Sequence, residues 1–295
     1  MTSPSHFSAW LEALRLRTLP VSVAGVITGI AYAIAAGGFS LIPAILCLIF
    51  ALLAQIASNF ANEYYDFRNG LDRPGRTGPR RGVTEGDITP AAMLSATYGT
   101  IALAAAVGLC LLFYGPWWLI LVGLVVAVGL LAYSTGPFPL SHHGLGEVAV
   151  IFFFGLVPVN LTAWLCGCPW SWNVAAGSLA IGFMGANVLI VNNFRDTEED
   201  RAVNKHTLSV IMGARHMPRL YALNALAAAA LTAFSFLNVF SSAAVLLLPA
   251  AYLLAALTIA RVMSQRSGAE LTPLLGCTAM LMSVFALCFF IMAAL

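Results

Sequence analysis

The feature that most constrains this chain is the placement of its basic residues. Nine long apolar runs fill the sequence, at about 18–37, 41–61, 91–114, 116–134, 146–166, 173–193, 219–240, 242–261 and 271–294. A helix needs roughly 20 such residues to cross a bilayer. Threaded alternately, the runs put all 14 Lys and Arg residues on one side. Arg15 and Arg17 precede the first run. Arg68, Arg73, Arg76, Arg80 and Arg81 follow the second, and Arg195, Arg201, Lys205, Arg215 and Arg219 follow the sixth. Arg261 and Arg266 follow the eighth, whereas the connections near Gly37–Gly38, Gly115, Gly167–Cys168 and Ser241 carry none. Cytoplasmic loops hold the excess of Lys and Arg. The expectation is an all-α, multi-pass bundle of nine transmembrane helices in the cell's cytoplasmic membrane, N-in and C-out. Residues 1–295 form a single domain on this reading, with loops 67–90 and 194–218 as a cytoplasmic cap. A chain that is 60% hydrophobic and 9% charged, with mean hydropathy +0.90, excludes a soluble domain of this length. The bilayer is its expected partner, and no nucleic-acid partner is expected.

All twelve acids also fall on or near the inner side, which the rule for basic residues does not require. The polar chemistry therefore belongs at the cytoplasmic face. It concentrates first between Gln55 and Gly82. On a helix, Gln55, Asn59, Asn62, Glu63 and Asp66 share an arc of about 100°. A carboxylate inside a membrane segment costs ~2.5–3.5 kcal/mol on insertion scales, so such residues mark function. Asp72, Arg73, Arg76, Arg80 and Arg81 follow at once. Carboxylates beside arginines suit a metal-bound phosphate, because hard oxygens take Mg²⁺ and guanidinium forks take phosphate oxygens.

The same device recurs at the inner end of the sixth run. Asn192, Asp196 and Asp200 are spaced i, i+4, i+8, within roughly 80° of one helix face. Arg195 and Lys205 flank them. An Asn and an Asp four apart, a further Asp and then basic residues thus occur twice, which points to a pseudo-repeat. Two facing clusters of this kind can hold Mg²⁺ ions that bridge a diphosphate.

Other features are less specific. Phe7–Leu14 reads as a short amphipathic helix anchored by Trp10 at the interface. Arg15 and Arg17 read as topological signals. The connection from Phe67 to Pro90 is long enough for a lid, and Thr89-Pro90 reads as a helix cap with proline at the first position. Tyr133 and Ser134 either line the site or sit at the interface, and Glu147 is either a capping or a site residue. His142 and His143 lack partners for a metal site. The six cysteines read as packing residues.

These residues resemble the UbiA superfamily of membrane prenyltransferases across nearly the whole chain. Asn62-Glu63-Tyr64-Tyr65-Asp66 with Asp72 stands for its first Asp-rich motif, and Asn192 with Arg195-Asp196 and Asp200 for its second. Three stretches are similar to the menaquinone branch: Asp72 to Gly82, Tyr133 to Pro139 with Gly144–Glu147, and Lys205–Leu208. Glu63 stands where the family usually has Asp, Leu16 where it has Pro, and His142 where that branch often has a tyrosine. The resemblance implies nine helices around a central cavity and Mg²⁺-dependent transfer of a prenyl group from polyprenyl diphosphate to 1,4-dihydroxy-2-naphthoate, with loss of CO₂ and diphosphate. Asn62, Asp66, Asp72, Asn192, Asp196 and Asp200 would hold Mg²⁺. Asn62, Arg73, Arg76, Arg80, Arg81, Arg195 and Lys205 would meet the diphosphate, and Tyr133 would shelter an allylic cation. Alternatives are another aromatic acceptor such as 4-hydroxybenzoate, homogentisate or a specialised metabolite, or, from a different class, transport of a phosphorylated solute.

Overall fold

A computed structural model describes residues 6–75 and 78–295. Every long apolar run becomes a helix, since backbone amides in hydrocarbon must be satisfied within the segment. In order these are α1 (His6–Ala13), α2 (Leu19–Ala35), α3 (Leu41–Arg68), α4 (Pro90–Cys110) and α5 (Leu119–Ser134), then α6 (Gly146–Val150) and α7 (Val157–Leu165). They continue with α8 (Trp172–Arg195), α9 (Thr197–Ala202), α10 (Leu208–Met212), α11 (Met217–Val239), α12 (Leu247–Met263) and α13 (Thr272–Ala294). Among the described residues, seven segments are long and apolar enough to cross a membrane. The first and fourth runs give the shorter α2 and α5, of 17 and 16 residues. Among the described residues there is no strand, only an isolated bridge between His143 and His206.

The fifth run departs from regular helix. A π-helical segment, Ile151–Leu156, joins α6 to α7 just ahead of Pro158. Such wide turns accommodate a residue that the ordinary ladder cannot. Gly155 lies in it, and a Cβ there would stand 2.4 Å from the Ser178 carbonyl and 2.5 Å from the Gly182 Cα. Small residues thus let this segment press against α8, the usual packing device between membrane helices.

Helix α8 is the axis of the bundle and is mostly buried, whereas α4 is mostly exposed. Tyr32, Tyr221 and Phe236 fill the space around it, and the Tyr32 and Ser235 hydroxyls bond at 2.6 Å. Outward, Leu103, Leu124, Leu254 and Met280 are exposed, an apolar surface of the kind that lipid covers. All six cysteines are free. Trp10 packs edge-on against Phe60, with ring centroids 5.7 Å apart, and so docks α1 on α3.

The two ends of the bundle differ. At one, Gly38 meets Gly167, and the connections there carry no basic residue. At the other, the start of α2 and the ends of α3, α5 and α8 come together with their charged flanks. The C-terminal part of the connection between α3 and α4, from Gly82 to Ile88, packs against the bundle there. Val83 and Ile88 are buried, Asp87 and Ile88 donate backbone hydrogen bonds to the Gly82 carbonyl, and Val83 N–H donates to Glu63 Oε1 at 3.1 Å. Thr89 caps α4 by accepting from Ala92 N–H at 3.2 Å.

Candidate active site

A cavity of about 1100 Å³ runs into the bundle from this charged end. Its walls are apolar over most of their length, with Val26, Phe50, Leu111, Leu119, Phe153 and Leu161 among them. Its mouth is polar, lined by Arg15, Asn62, Arg81, Tyr133, Glu147, Asn192, Asp196, Asp200 and Lys205.

The two sequence clusters meet there. Lys205 Nζ, just beyond the second, donates to Asp66 Oδ2 in the first at 3.4 Å. Each cluster is built around an asparagine whose carbonyl accepts from an arginine. Asn62 Oδ1 accepts from Arg81 at 2.8 Å and from Arg15 at 2.7 Å, and Asn192 Oδ1 accepts from Arg195 at 2.9 Å. Asn62 Nδ2 donates onward to Asp66 Oδ2 and to Ser134 Oγ, both at 3.1 Å, tying α3 to α5. Arg195 grips Asp196 with two donors, at 2.6 and 2.8 Å. Asp196 is the residue where α8 ends and α9 begins, and the Asp200 N–H still donates to its carbonyl at 2.9 Å, which keeps the two acids on one side.

The first cluster is covered by cations. Asp66 is 2% exposed and does not itself line the cavity. Lys205 and Arg81 stand over it, the latter at 3.9 Å. Asp72, expected among the metal ligands, stands behind Arg81, whose Nε lies 3.2 Å from Asp72 Oδ2, and is also off the cavity wall. Buried carboxylates need a counter-charge close by, and the arginine and lysine provide it.

Arg80 lines the mouth but is ion-paired with Asp87, the main cause of a pKa raised above the ordinary arginine value. Arg73 is exposed and lines no part of the cavity. Arg76 lies outside the described residues.

Sequence reasoning gave no site role to three residues. Arg15 adopts a left-handed backbone (φ 49°), and its guanidinium reaches Asn62. Its place before the first apolar run is fully explained by topology, which hid its role. His142 sits with Nε2 3.8 Å from Asp66 Oδ1. Asn193 donates to Glu147 Oε1 at 2.9 Å. Only the fold puts these residues beside the clusters.

Could these groups hold Mg²⁺? Among the described residues no three His, Cys, Asp or Glu side chains form a ready cage. Mg²⁺ does not need one, because it keeps several waters and takes one or two carboxylates together with substrate phosphates. The donors are hard oxygens, and Asp66 Oδ1 is buried with no hydrogen-bond partner among the described residues. The chemistry of the site fits the ion.

The family model of the UbiA prenyltransferase family matches residues 22–272. The chain belongs to the UbiA prenyltransferase family. Among curated UbiA relatives, the chain is 37% identical over 246 residues to the 1,4-dihydroxy-2-naphthoate octaprenyltransferase of Escherichia coli, covering 80% of this chain and 78% of that one. It is 35% identical to the enzyme of the same name from Mycobacterium tuberculosis, over 96% of both chains. A UbiA homolog from Archaeoglobus fulgidus bound to GPP and Mg²⁺ superposes with a TM-score of 0.75 at 17% identity, over 97% of this chain and 99% of that one. That likeness establishes a shared UbiA fold.

Proposed function

We propose that this chain transfers a polyprenyl group from polyprenyl diphosphate to 1,4-dihydroxy-2-naphthoate, releasing CO₂ and diphosphate and forming demethylmenaquinone. The carrying observation is the contact of Lys205 with Asp66, which joins two Asn/Asp clusters at the polar mouth of an otherwise apolar cavity. An amphiphilic donor fits that gradient, with its tail among Val26, Leu111 and Leu161 and its head among the charges. Relatives named for this reaction over nearly the full chain support the acceptor. The apolar far half of the cavity argues against a pathway for a phosphorylated solute.

Nine helices are taken to cross the inner membrane N-in and C-out, with the polar mouth facing the cytoplasm. The one-sided distribution of Lys and Arg supports this orientation. Asp66, Asp72, Asp196 and Asp200 would hold Mg²⁺, with Asn62 and Asn192 joining them where their carbonyls are released by the arginines, and Asp72 also holds Arg81. When bound, the ion supplies positive charge against the diphosphate oxygens as the ester bond breaks. Arg81 and Lys205 cover Asp66 and are the cations available to exchange that carboxylate for phosphate oxygens. Arg15 and Arg195 hold the two asparagine carbonyls and so set their orientation. The Tyr133 ring, at the boundary between polar mouth and apolar wall, offers its face to the allylic cation. The ring carbon bearing the carboxylate attacks that cation, a C–C bond forms, and CO₂ leaves.

The test incubates purified protein and Mg²⁺ with labelled polyprenyl diphosphate and a panel of aromatic acids. Prenylated, decarboxylated product is expected with 1,4-dihydroxy-2-naphthoate and at most a few per cent of that rate with 4-hydroxybenzoate or homogentisate. Preference for another acid refutes the acceptor, and no acceptor-dependent product refutes prenyl transfer.

A further inference from the structure

Glu147 is a buried carboxylate on the cavity wall that the diphosphate site does not use. It opens α6, is 6% exposed, and lines the polar mouth. Asn193 from α8 fixes its Oε1 at 2.9 Å, while Oε2 is buried with no hydrogen-bond partner among the described residues. A buried acceptor on a polar cavity wall is costly unless water or a ligand completes it, and it is free to receive a ligand's hydroxyl. Tyr133 lies beside it. A Cβ on the neighbouring Gly146 would stand 3.5 Å from the Tyr133 hydroxyl, and both Tyr133 and Glu147 line the cavity. Glu147 therefore flanks the ring assigned to the allylic cation. Among the described residues no arginine or lysine is paired with it, in contrast to Asp66 and Asp196.

We infer that Glu147 Oε2 receives the ring hydroxyl of the aromatic acceptor and is the base that activates it. This inference presupposes prenyl transfer to a hydroxylated aromatic acid. Glu147 takes the proton of the hydroxyl ortho to the carboxylate, and the oxygen's electron pair moves into the ring. The adjacent ring carbon forms the new C–C bond as the C–O bond to diphosphate breaks, its pair leaving with the diphosphate. Loss of CO₂ returns an electron pair to the ring, and Glu147 gives its proton back to the oxygen. No proton is gained or lost overall, as the product quinol requires. Asn193 is the positioning residue that aims the carboxylate.

Glu147→Gln keeps the shape and a carbonyl oxygen but cannot take the proton. Its kcat is expected to fall about 100-fold, the lower range for loss of a general base, with KM for the prenyl diphosphate unchanged. The deciding readout uses halogenated hydroxynaphthoates of graded hydroxyl acidity. The ratio of wild-type to E147Q rates should shrink as the acceptor hydroxyl ionises more readily, because the missing base is then less needed. Glu147→Asp withdraws the charge by one methylene, and an intermediate kcat at unchanged donor KM is expected; this variant decides the matter if E147Q does not accumulate. A ratio that stays constant across the acceptor series, or a wild-type rate in E147Q or E147D, overturns the role of Glu147 while leaving prenyl transfer standing. No acceptor-dependent product from the wild type overturns both.

Discussion

Replacing Asp66 by asparagine removes one negative charge and almost no volume. The structure allows the consequences for folding and for activity to be separated. Lys205 loses its 3.4 Å partner, and Arg81 loses one of its carboxylates. Breaking a fully buried ion pair costs about 3–5 kcal/mol. Here the Lys205 side chain is 16% exposed and can rehydrate, and Arg81 keeps Asp72 at 3.2 Å. The expected loss of stability is therefore smaller, about 1–2 kcal/mol. One electrostatic contact made to the transition state is worth about 2.7–4 kcal/mol, or 10²–10³ in rate. Asp66→Asn should thus lose at least about 100-fold in turnover while remaining folded. The assay follows labelled prenyl diphosphate in detergent across a Mg²⁺ titration, with thermal unfolding of the same preparation as the control. A folded variant that turns over within about threefold of wild type at the same Mg²⁺ midpoint refutes the metal role of Asp66.

Two further predictions separate the site from its scaffold. Arg15→Gly removes the guanidinium from Asn62 but suits the left-handed backbone at that position, so unfolding should change by less than about 1 kcal/mol while turnover falls at least tenfold; equal activity would return Arg15 to a purely topological role. Gly155→Ala would drive a Cβ into the Ser178 carbonyl and Gly182 and should lower stability by about 1–3 kcal/mol in detergent, and an unchanged unfolding temperature contradicts the close approach of the π-helical segment to α8.

Much of the fold was legible because membrane insertion imposes one rule on every segment. The start of α2, near residue 18 in the sequence reading, falls at Leu19, and the end of α5 falls at Ser134 as expected. The Thr89-Pro90 cap follows from local chemistry and forms as expected. The π-helical segment before Pro158 was not legible, since an apolar run of Ile, Phe and Leu has no feature that separates it from ordinary helix. Nor was the packing of Val83 and Ile88, which fixes the C-terminal part of the long connection against Glu63.

The Asn/Asp pairs at positions 62 and 66, and at 192 and 196, were visible from i, i+4 spacing, because helix geometry alone puts such residues on one face. Contacts such as Lys205 on Asp66, Arg15 on Asn62 and Asn193 on Glu147 join residues 46 to 139 positions apart, and no local periodicity encodes them. The sequence by itself determined which segments form long apolar helices and which face of each carries polar groups, since hydropathy and helical pitch are local properties. Only the tertiary structure decided which cation covers which carboxylate and which carboxylate is left open to a ligand, because charge pairing across a cavity depends on how separate helices pack.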